Sequence, residues 1–133
     1  MGTRIVIFEF GLISRTRILE GEACRRFSKA PRIKNLALVT GRAYPEQAEE
    51  TAKYLGTHVL ETTSYDFANG EMYVRYTEPV RGADVFVMQA HTVPINKWIM
   101  EQLIMVDALK RASARSITVV APFLGYSRQD NEA

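Results

Sequence analysis

The chain has 133 residues, of which 47% are hydrophobic and 24% charged, and its formal net charge is +2. This size and composition fit one globular domain, and no apolar stretch reaches the roughly 18 residues that suggest a membrane span. The single cysteine, Cys24, excludes an internal disulfide and favours a reducing compartment, which we take to be the cytoplasm.

The charges are spread unevenly along the chain. Residues 1–34 carry eight Lys or Arg against three Glu, whereas residues 35–133 carry nine Lys or Arg against twelve Asp or Glu. The mildly acidic body argues against a nucleic-acid-binding face. We therefore predict a poorly ordered basic extension over 1–34, with binding to a polyanion as the alternative, and a folded domain over 35–133.

The first half of this domain alternates between strand and helix signals. Leu36–Thr40 is apolar and short, which is typical of a buried strand. Pro45 suits the first turn of a helix, and Gly56 suits its end. The sequence predicts a second strand over 58–63, and Asn69-Gly70 favours a two-residue hairpin turn.

The second half repeats the alternation. Met72–Tyr76 predicts a strand with alternating faces, and 84–89 predicts a buried strand. Apolar residues at helical spacing predict a helix over 94–112, with Lys97–Glu101 and Asp107–Arg111 as i,i+4 pairs. A final strand is predicted over 117–123. The order of these elements indicates an α/β fold with a mostly parallel sheet flanked by helices, similar to a Rossmann fold, and a small antiparallel hairpin.

Two polar segments are candidates for function. In the first, Phe67, Asn69, Gly70 and Glu71 form either a simple hairpin turn or a base-recognition loop. In that second interpretation Phe67 offers a stacking face, Asn69 and Glu71 offer hydrogen bonds, and Gly70 allows close backbone approach.

The second segment follows the last predicted strand. Arg128 and Gln129 form either a solvated terminus or a phosphate clamp, in which the guanidinium makes a bidentate contact. His91 follows another strand and is either structural or an acid–base group. No Cys/His metal cluster and no hydrolase arrangement stands out, so the sequence assigns no metal ligand and no catalytic residue.

Long strings of residues carry a resemblance to a known family. The resemblance extends over residues 35–130, about 70% of the chain, and the strings that carry it are 40–46, 66–75, 80–87, 94–96, 100–105, 107–113 and 122–130. On these residues the chain resembles the amino-terminal part of the ribose-phosphate pyrophosphokinases, also called phosphoribosyl pyrophosphate synthetases. These enzymes transfer diphosphate from Mg-ATP to ribose 5-phosphate, and their fold is phosphoribosyltransferase-like.

The resemblance implies roles for individual residues. Phe67 would stack on adenine within a loop completed by Asn69, Gly70 and Glu71, and Arg128 and Gln129 would contact ATP phosphates. A regulatory phosphate would lie near the two residues Arg81 and Ser113. Mg²⁺ would arrive with ATP. In the family the base loop serves a neighbouring subunit, so a homo-oligomer, or association with a full-length synthetase, is expected.

The chain also departs from the family pattern. Residues 131–133 replace lysines that follow Arg-Gln-Asp in the family, and the ribose 5-phosphate site lies beyond this ending. We therefore expect the isolated chain to be an inactive amino-terminal portion of the synthetase, with ribose 5-phosphate bound only in a full-length form. Two alternatives are a non-catalytic interaction or regulatory subunit of a synthetase oligomer and a nonfunctional truncation.

Overall fold

The computed structural model describes residues 3–7 and 35–127. This part of the chain contains six strands and two helices. They are β1 (Thr3–Ile7), β2 (Leu36–Thr40), α1 (Pro45–Leu55), β3 (Thr62–Asp66), β4 (Met72–Tyr76), β5 (Asp84–Met88), α2 (Ile95–Arg111) and β6 (Ser116–Ala121).

Four strands form a parallel sheet in the order β1-β6-β5-β2. The register places Val39 of β2 beside Val87 of β5, and Val87 beside Val119 of β6. Strands β3 and β4 pair antiparallel as a separate two-stranded sheet. This arrangement confirms the predicted α/β class, the parallel sheet with flanking helices and the small antiparallel hairpin.

The two faces of the parallel sheet carry different helices, because successive side chains of a strand point to opposite sides. On one side Val39, Val87 and Val119 pack with Met105 and Leu109 of α2. On the other side, the residues that pack together come from β2, β5 and α1; they are Leu38, Met88, Ala48 and Ala52. The sheet therefore lies between α1 and α2, with the larger core on the α2 side.

The hairpin begins later than the sequence predicts. Instead of a strand over 58–63, Val59 makes an isolated bridge with Leu38 of β2, and the ladder to β4 starts at Thr62. The chain first pairs with the edge of the main sheet, where the Leu60 N–H donates to the Leu38 carbonyl at 2.8 Å, and then leaves it. Periodicity alone does not reveal this change of partner, because both stretches are extended.

The hairpin turn is also longer than two residues. The Gly70 N–H donates to the Phe67 carbonyl and the Phe67 N–H to the Glu71 carbonyl, so three residues form the loop. Gly70 has a φ of 90°. Glycine adopts this conformation without a Cβ penalty, as three-residue hairpin loops require.

The predicted basic extension contains a strand at its start. Thr3–Ile7 pairs parallel with residues 117–121 of β6. Residues 8–34 lie outside the described residues, so the expectation for that segment stays a prediction.

Leu109 tests the core on the α2 side. Its side chain is 0% exposed, and we expect Leu109→Ala to lower the free energy of unfolding by about 2–5 kcal/mol because it leaves a cavity. Leu103 lies on the same helix but is 56% exposed, so Leu103→Ala should change the free energy by no more than about 0.5 kcal/mol. Urea unfolding measures both, and equal losses would contradict this assignment of the core.

Candidate functional site

The polar segments that follow the parallel strands leave the sheet at one edge. Residues 41–42 follow β2, residues 89–92 follow β5, and residues 122–127 follow β6. Ligands of open α/β sheets bind at this carboxyl edge. The edge and the neighbouring hairpin therefore define the candidate site.

The hairpin tip carries the predicted base-recognition residues. Phe67 is 45% exposed and makes an edge contact with Tyr65, with ring centroids 5.2 Å apart. Tyr65 in turn stacks on Tyr73 at 5.0 Å. The three rings form an aromatic surface that is partly open to solvent, which is a surface suited to a planar heterocycle.

The polar residues of the tip are hydrogen-bonded to each other. The Asn69 side-chain N–H donates to the Glu71 carboxylate at 2.9 Å, and the Glu71 N–H donates to Asn69 Oδ1 at 3.1 Å. Both side chains are exposed, so their remaining donor and acceptor positions face solvent. Phe67, Asn69, Gly70 and Glu71 thus lie together, as the sequence predicts.

Three ion pairs join four charged side chains and connect the base of this tip to α2. Asp66 precedes Phe67 and accepts from Arg42 Nη2 at 2.6 Å and from Lys97 Nζ at 2.7 Å. Arg42 Nε also donates to Glu101 at 2.5 Å. Lys97 and Glu101 lie one turn apart on α2. We call Glu101, Arg42, Asp66 and Lys97 the charge ring.

Glu101 is the buried member of the charge ring, with 0% exposure. Besides the Arg42 side chain, it accepts the Arg42 N–H at 3.1 Å, the Ser64 hydroxyl at 2.9 Å and the Gln89 amide at 2.7 Å. A buried carboxylate is tolerated only when charge pairing and several hydrogen bonds replace water. Glu101 therefore joins the β2–α1 loop, the hairpin and the end of β5.

These contacts shift the pKa values of two residues of the charge ring and of the neighbouring Tyr76. Hydrogen bonds from Lys97 and then Arg42 lower the pKa of the Asp66 carboxyl. Burial acts to lower the pKa of Arg42, but the hydrogen bonds and charges of Asp66 and Glu101 outweigh it and raise the pKa. Burial, followed by the charge of Glu101, raises the pKa of Tyr76.

Gly41 allows the close approach that brings Gln89 to Glu101. A Cβ at residue 41 would overlap the side-chain amide of Gln89. Gln89 is 1% exposed, and its Oε1 atom has no hydrogen-bond partner among the described residues. The sequence Thr40-Gly41-Arg42 is thus a packing and hydrogen-bonding segment at this edge.

His91 connects the end of β5 to the segment after β6. Its Nδ1 accepts the Gly125 N–H at 3.0 Å, and its Nε2 lies 2.9 Å from Gln102 Oε1. At 2% exposure, His91 fits the structural interpretation of the two that the sequence left open. It fixes the segment that leads toward Arg128 and Gln129, which lie outside the described residues.

Arg81 and Ser113 lie away from the hairpin tip, beyond the opposite end of β4. The Gly82 N–H donates to the Ser113 carbonyl at 3.0 Å. Arg81 lines a cavity of about 550 Å³ together with Arg75 and Arg111. The two predicted residues are therefore near each other and next to a basic cavity.

Sequence reasoning missed the charge ring. Lys97 and Glu101 are spaced as an i,i+4 pair, yet Lys97 pairs with Asp66 and Glu101 with Arg42. The signal available was Glu101 itself, a charged residue that lies at helical spacing from the apolar residues Met105 and Leu109. By contrast, the predicted pair Asp107–Arg111 forms at 2.8 Å.

Neither described helix is long and apolar enough to cross a membrane. No group of three or more His, Cys, Asp or Glu residues within 3–7 and 35–127 is arranged to hold a metal ion.

Comparisons with known proteins agree on one family. The family described as the N-terminal domain of ribose phosphate pyrophosphokinase matches residues 36–133. The ribose-phosphate pyrophosphokinase of Bifidobacterium longum is 76% identical over 99 residues, and that of Streptomyces coelicolor is 65% identical over 99 residues. The match covers 74% of this chain, but only 29% and 31% of those two proteins.

A solved structure gives the same result. The phosphoribosylpyrophosphate synthetase from Mycobacterium smegmatis superposes with a TM-score of 0.72 and 56% sequence identity. This similarity covers 74% of this chain and 33% of that one. The neighbour confirms the predicted phosphoribosyltransferase-like fold.

The low pKa of Asp66 predicts how its contribution to stability depends on pH. A carboxyl group whose pKa is lower in the folded than in the unfolded chain stabilises the fold above its unfolded pKa. That contribution is lost as the pH falls through the folded pKa. We expect Asp66→Asn to be less stable than the parent near neutral pH, with the difference shrinking below about pH 4.

Urea unfolding of both chains between about pH 7 and pH 3 measures this difference. Glu50→Gln, on the exposed surface of α1, is the control and should show no such difference. A stability difference for Asp66→Asn that stays constant over the whole range would contradict the ion pairs described.

Proposed function

The chain belongs to the family of ribose phosphate pyrophosphokinase N-terminal domains, and from this premise we propose that its hairpin tip binds the adenine of Mg-ATP. Phe67 stacks on the base, while Asn69, Gly70 and Glu71 recognise its edge. The observation that carries the proposal is the partly exposed aromatic surface of Phe67, Tyr65 and Tyr73 beside an exposed amide and carboxylate.

In this proposal Arg128 and Gln129 contact the ATP phosphates and supply a guanidinium and a neutral donor. Arginine binds phosphate oxygens in a bidentate manner, which supports this assignment. Mg²⁺ belongs to the substrate and enters with the phosphates. The resemblance to the family implies that the base loop contributes to the ATP site of a neighbouring subunit. The complete pocket would then span two chains of a homo-oligomer or of a complex with a full-length synthetase.

The reaction of a full-length enzyme would transfer diphosphate to ribose 5-phosphate. The anomeric hydroxyl of the sugar attacks the β-phosphorus, and AMP leaves. Positioning and charge neutralisation would supply most of the catalysis. Because the match covers about 30% of the B. longum and S. coelicolor relatives, we propose that the isolated chain binds nucleotide without forming phosphoribosyl pyrophosphate.

A regulatory phosphate near Arg81 and Ser113 is a further part of the proposal. The cavity is lined by Arg75, Arg81 and Arg111 and by one carboxylate, Glu78, and although Arg111 also pairs with Asp107, the excess of cations supports an anion. The location is separate from the hairpin tip, so an anion bound there would not compete with adenine.

A second candidate is a non-catalytic role in synthetase oligomers. Met100 and Leu103 of α2 are 52% and 56% exposed, and exposed apolar side chains on one helix favour contact with another chain. Co-purification with a full-length relative would favour this role, whereas a folded chain that stays monomeric in its presence would count against it.

Calorimetric titration with Mg-ATP tests the nucleotide proposal. We expect the parent chain to bind and Phe67→Ala to bind about tenfold more weakly, because stacking on an aromatic ring stabilises a bound base by about 1–3 kcal/mol. Phe67 is partly exposed, so the variant should remain folded.

Tyr54→Ala is the matched control, since Tyr54 is an aromatic residue of α1 with 93% exposure. It should bind as the parent does. Folded parent protein that gives no binding, alone or mixed with a full-length relative, would contradict the proposal. So would equal affinities of the parent and Phe67→Ala.

A further inference from the structure

We propose that the charge ring is a positioning device that fixes the orientation of the adenine-binding tip, with Glu101 as its central positioning residue. The inference rests on the proposed function of the tip. The residues of the charge ring are outside the proposed nucleotide site. Their connection to that site is Asp66, which precedes Phe67 in the chain.

The hairpin is a separate two-stranded sheet, and Val74 and Tyr76 of β4 pack against the core on the α2 side. An isolated pair of strands is at best marginally stable in water. At its base, the Tyr76 hydroxyl donates to the Met105 carbonyl at 3.2 Å. Toward its tip, the contacts with α2 are those of Ser64 and Asp66 with the charge ring.

The position of these contacts along β3 determines which face of the hairpin is open. Ser64 and Asp66 are two residues apart and lie on the same face of the strand. Tyr65 and Phe67 alternate with them and therefore lie on the opposite face. Because the first pair contacts Glu101, Arg42 and Lys97, the aromatic pair is directed away from α2.

Charged groups suit this role because their contacts are directional. A slip of one residue in β3 would exchange the two faces, and it would bring aromatic rings against Glu101 while removing both hydrogen-bonding partners. Replacing a buried ion pair by apolar groups often costs little stability, which is consistent with a role in orientation.

The ring also has an intrinsic reporter. Trp98 is the only tryptophan in the sequence. Arg42 Cζ lies 6.0 Å from its ring centroid and Lys97 Nζ lies 5.1 Å from it. Cations at these distances interact with the indole, so Trp98 emission should change when the ring is opened.

Lys97→Met removes the ion pair with Asp66 from the helix side and leaves the sequence of the hairpin unchanged. We expect the amides of Phe67 and Gly70 to exchange with deuterium at least about fivefold faster, Mg-ATP to bind at least about fivefold more weakly, and Trp98 emission to shift. Lys110→Met, the same substitution on an exposed site of the same helix, should change none of these readouts.

Two further variants separate positioning from general stability. Lys97→Arg keeps a cation near Asp66 and should restore the amide protection and the nucleotide affinity. Glu101→Gln should speed deuterium exchange of the hairpin amides as Lys97→Met does. If Glu101→Gln does not fold, the comparison of Lys97→Met with Lys97→Arg still tests the positioning role. The global unfolding midpoint of each variant shows whether it is folded.

The outcomes distinguish this inference from the proposed function. Exchange is measured without nucleotide, so failure of the parent to bind Mg-ATP overturns the proposed function alone. If Lys97→Met is folded and its hairpin amides exchange at the parent rates, the positioning role is overturned, whether or not nucleotide binds. The positioning role is also overturned if the hairpin amides of Lys97→Met exchange faster while its affinity for Mg-ATP stays at the parent value.

Discussion

The charge of a buried carboxylate must be balanced by nearby cations and hydrogen-bond donors, because water does not reach it. Glu101 imposes this requirement on the carboxyl edge of the sheet. Four donors from three segments converge on it, namely the Arg42 side chain and amide, the Ser64 hydroxyl and the Gln89 amide. Removal of one partner of a buried ion pair typically costs about 3–5 kcal/mol, because the other charge is left without compensation. The β2–α1 loop, the hairpin and the end of β5 are thereby held to one helix.

The contacts with the charge ring also determine which side chains of β3 are exposed, because successive side chains of a strand point to opposite faces. With Ser64 and Asp66 bound on the α2 side, Tyr65 and Phe67 emerge on the other side, where Tyr73 stacks with Tyr65 and makes an edge contact with Phe67. A cluster of partly exposed aromatic rings is an apolar patch of the kind that marks an interaction or ligand-binding surface. The contacts of Ser64 and Asp66 with the charge ring and the exposed aromatic cluster are thus two effects of one strand register.

Much of the fold follows from local patterns in the sequence. The apolar run Leu36–Thr40 forms β2 as predicted, Pro45 begins α1, and the apolar period of α2 matches its buried positions Met105 and Leu109. These elements are predictable because burial on one face imposes a period that the sequence must carry. The strand over 58–63 differs because the chain changes its pairing partner there, which is a tertiary event.

The tip residues could be selected from the sequence because Asn69, Gly70 and Glu71 are neighbours in the chain. The charge ring could not, since Arg42 and Glu101 are 59 positions apart, and the local i,i+4 spacing of Lys97 and Glu101 suggests a different pair. Long-range ion pairs leave no periodic pattern. Arg128 and Gln129 lie outside the described residues, so their phosphate contacts depend on the family resemblance.

Amide chemical shifts of the ¹⁵N-labelled chain during a titration with Mg-ATP measure most directly whether the tip receives the base. We expect the largest changes at Phe67, Asn69, Gly70 and Glu71, a smaller change at the Trp98 indole, and little change around Arg81. Shifts that concentrate around Arg81 and Arg111 while the tip stays unchanged, in protein shown to be folded, would contradict the central claim.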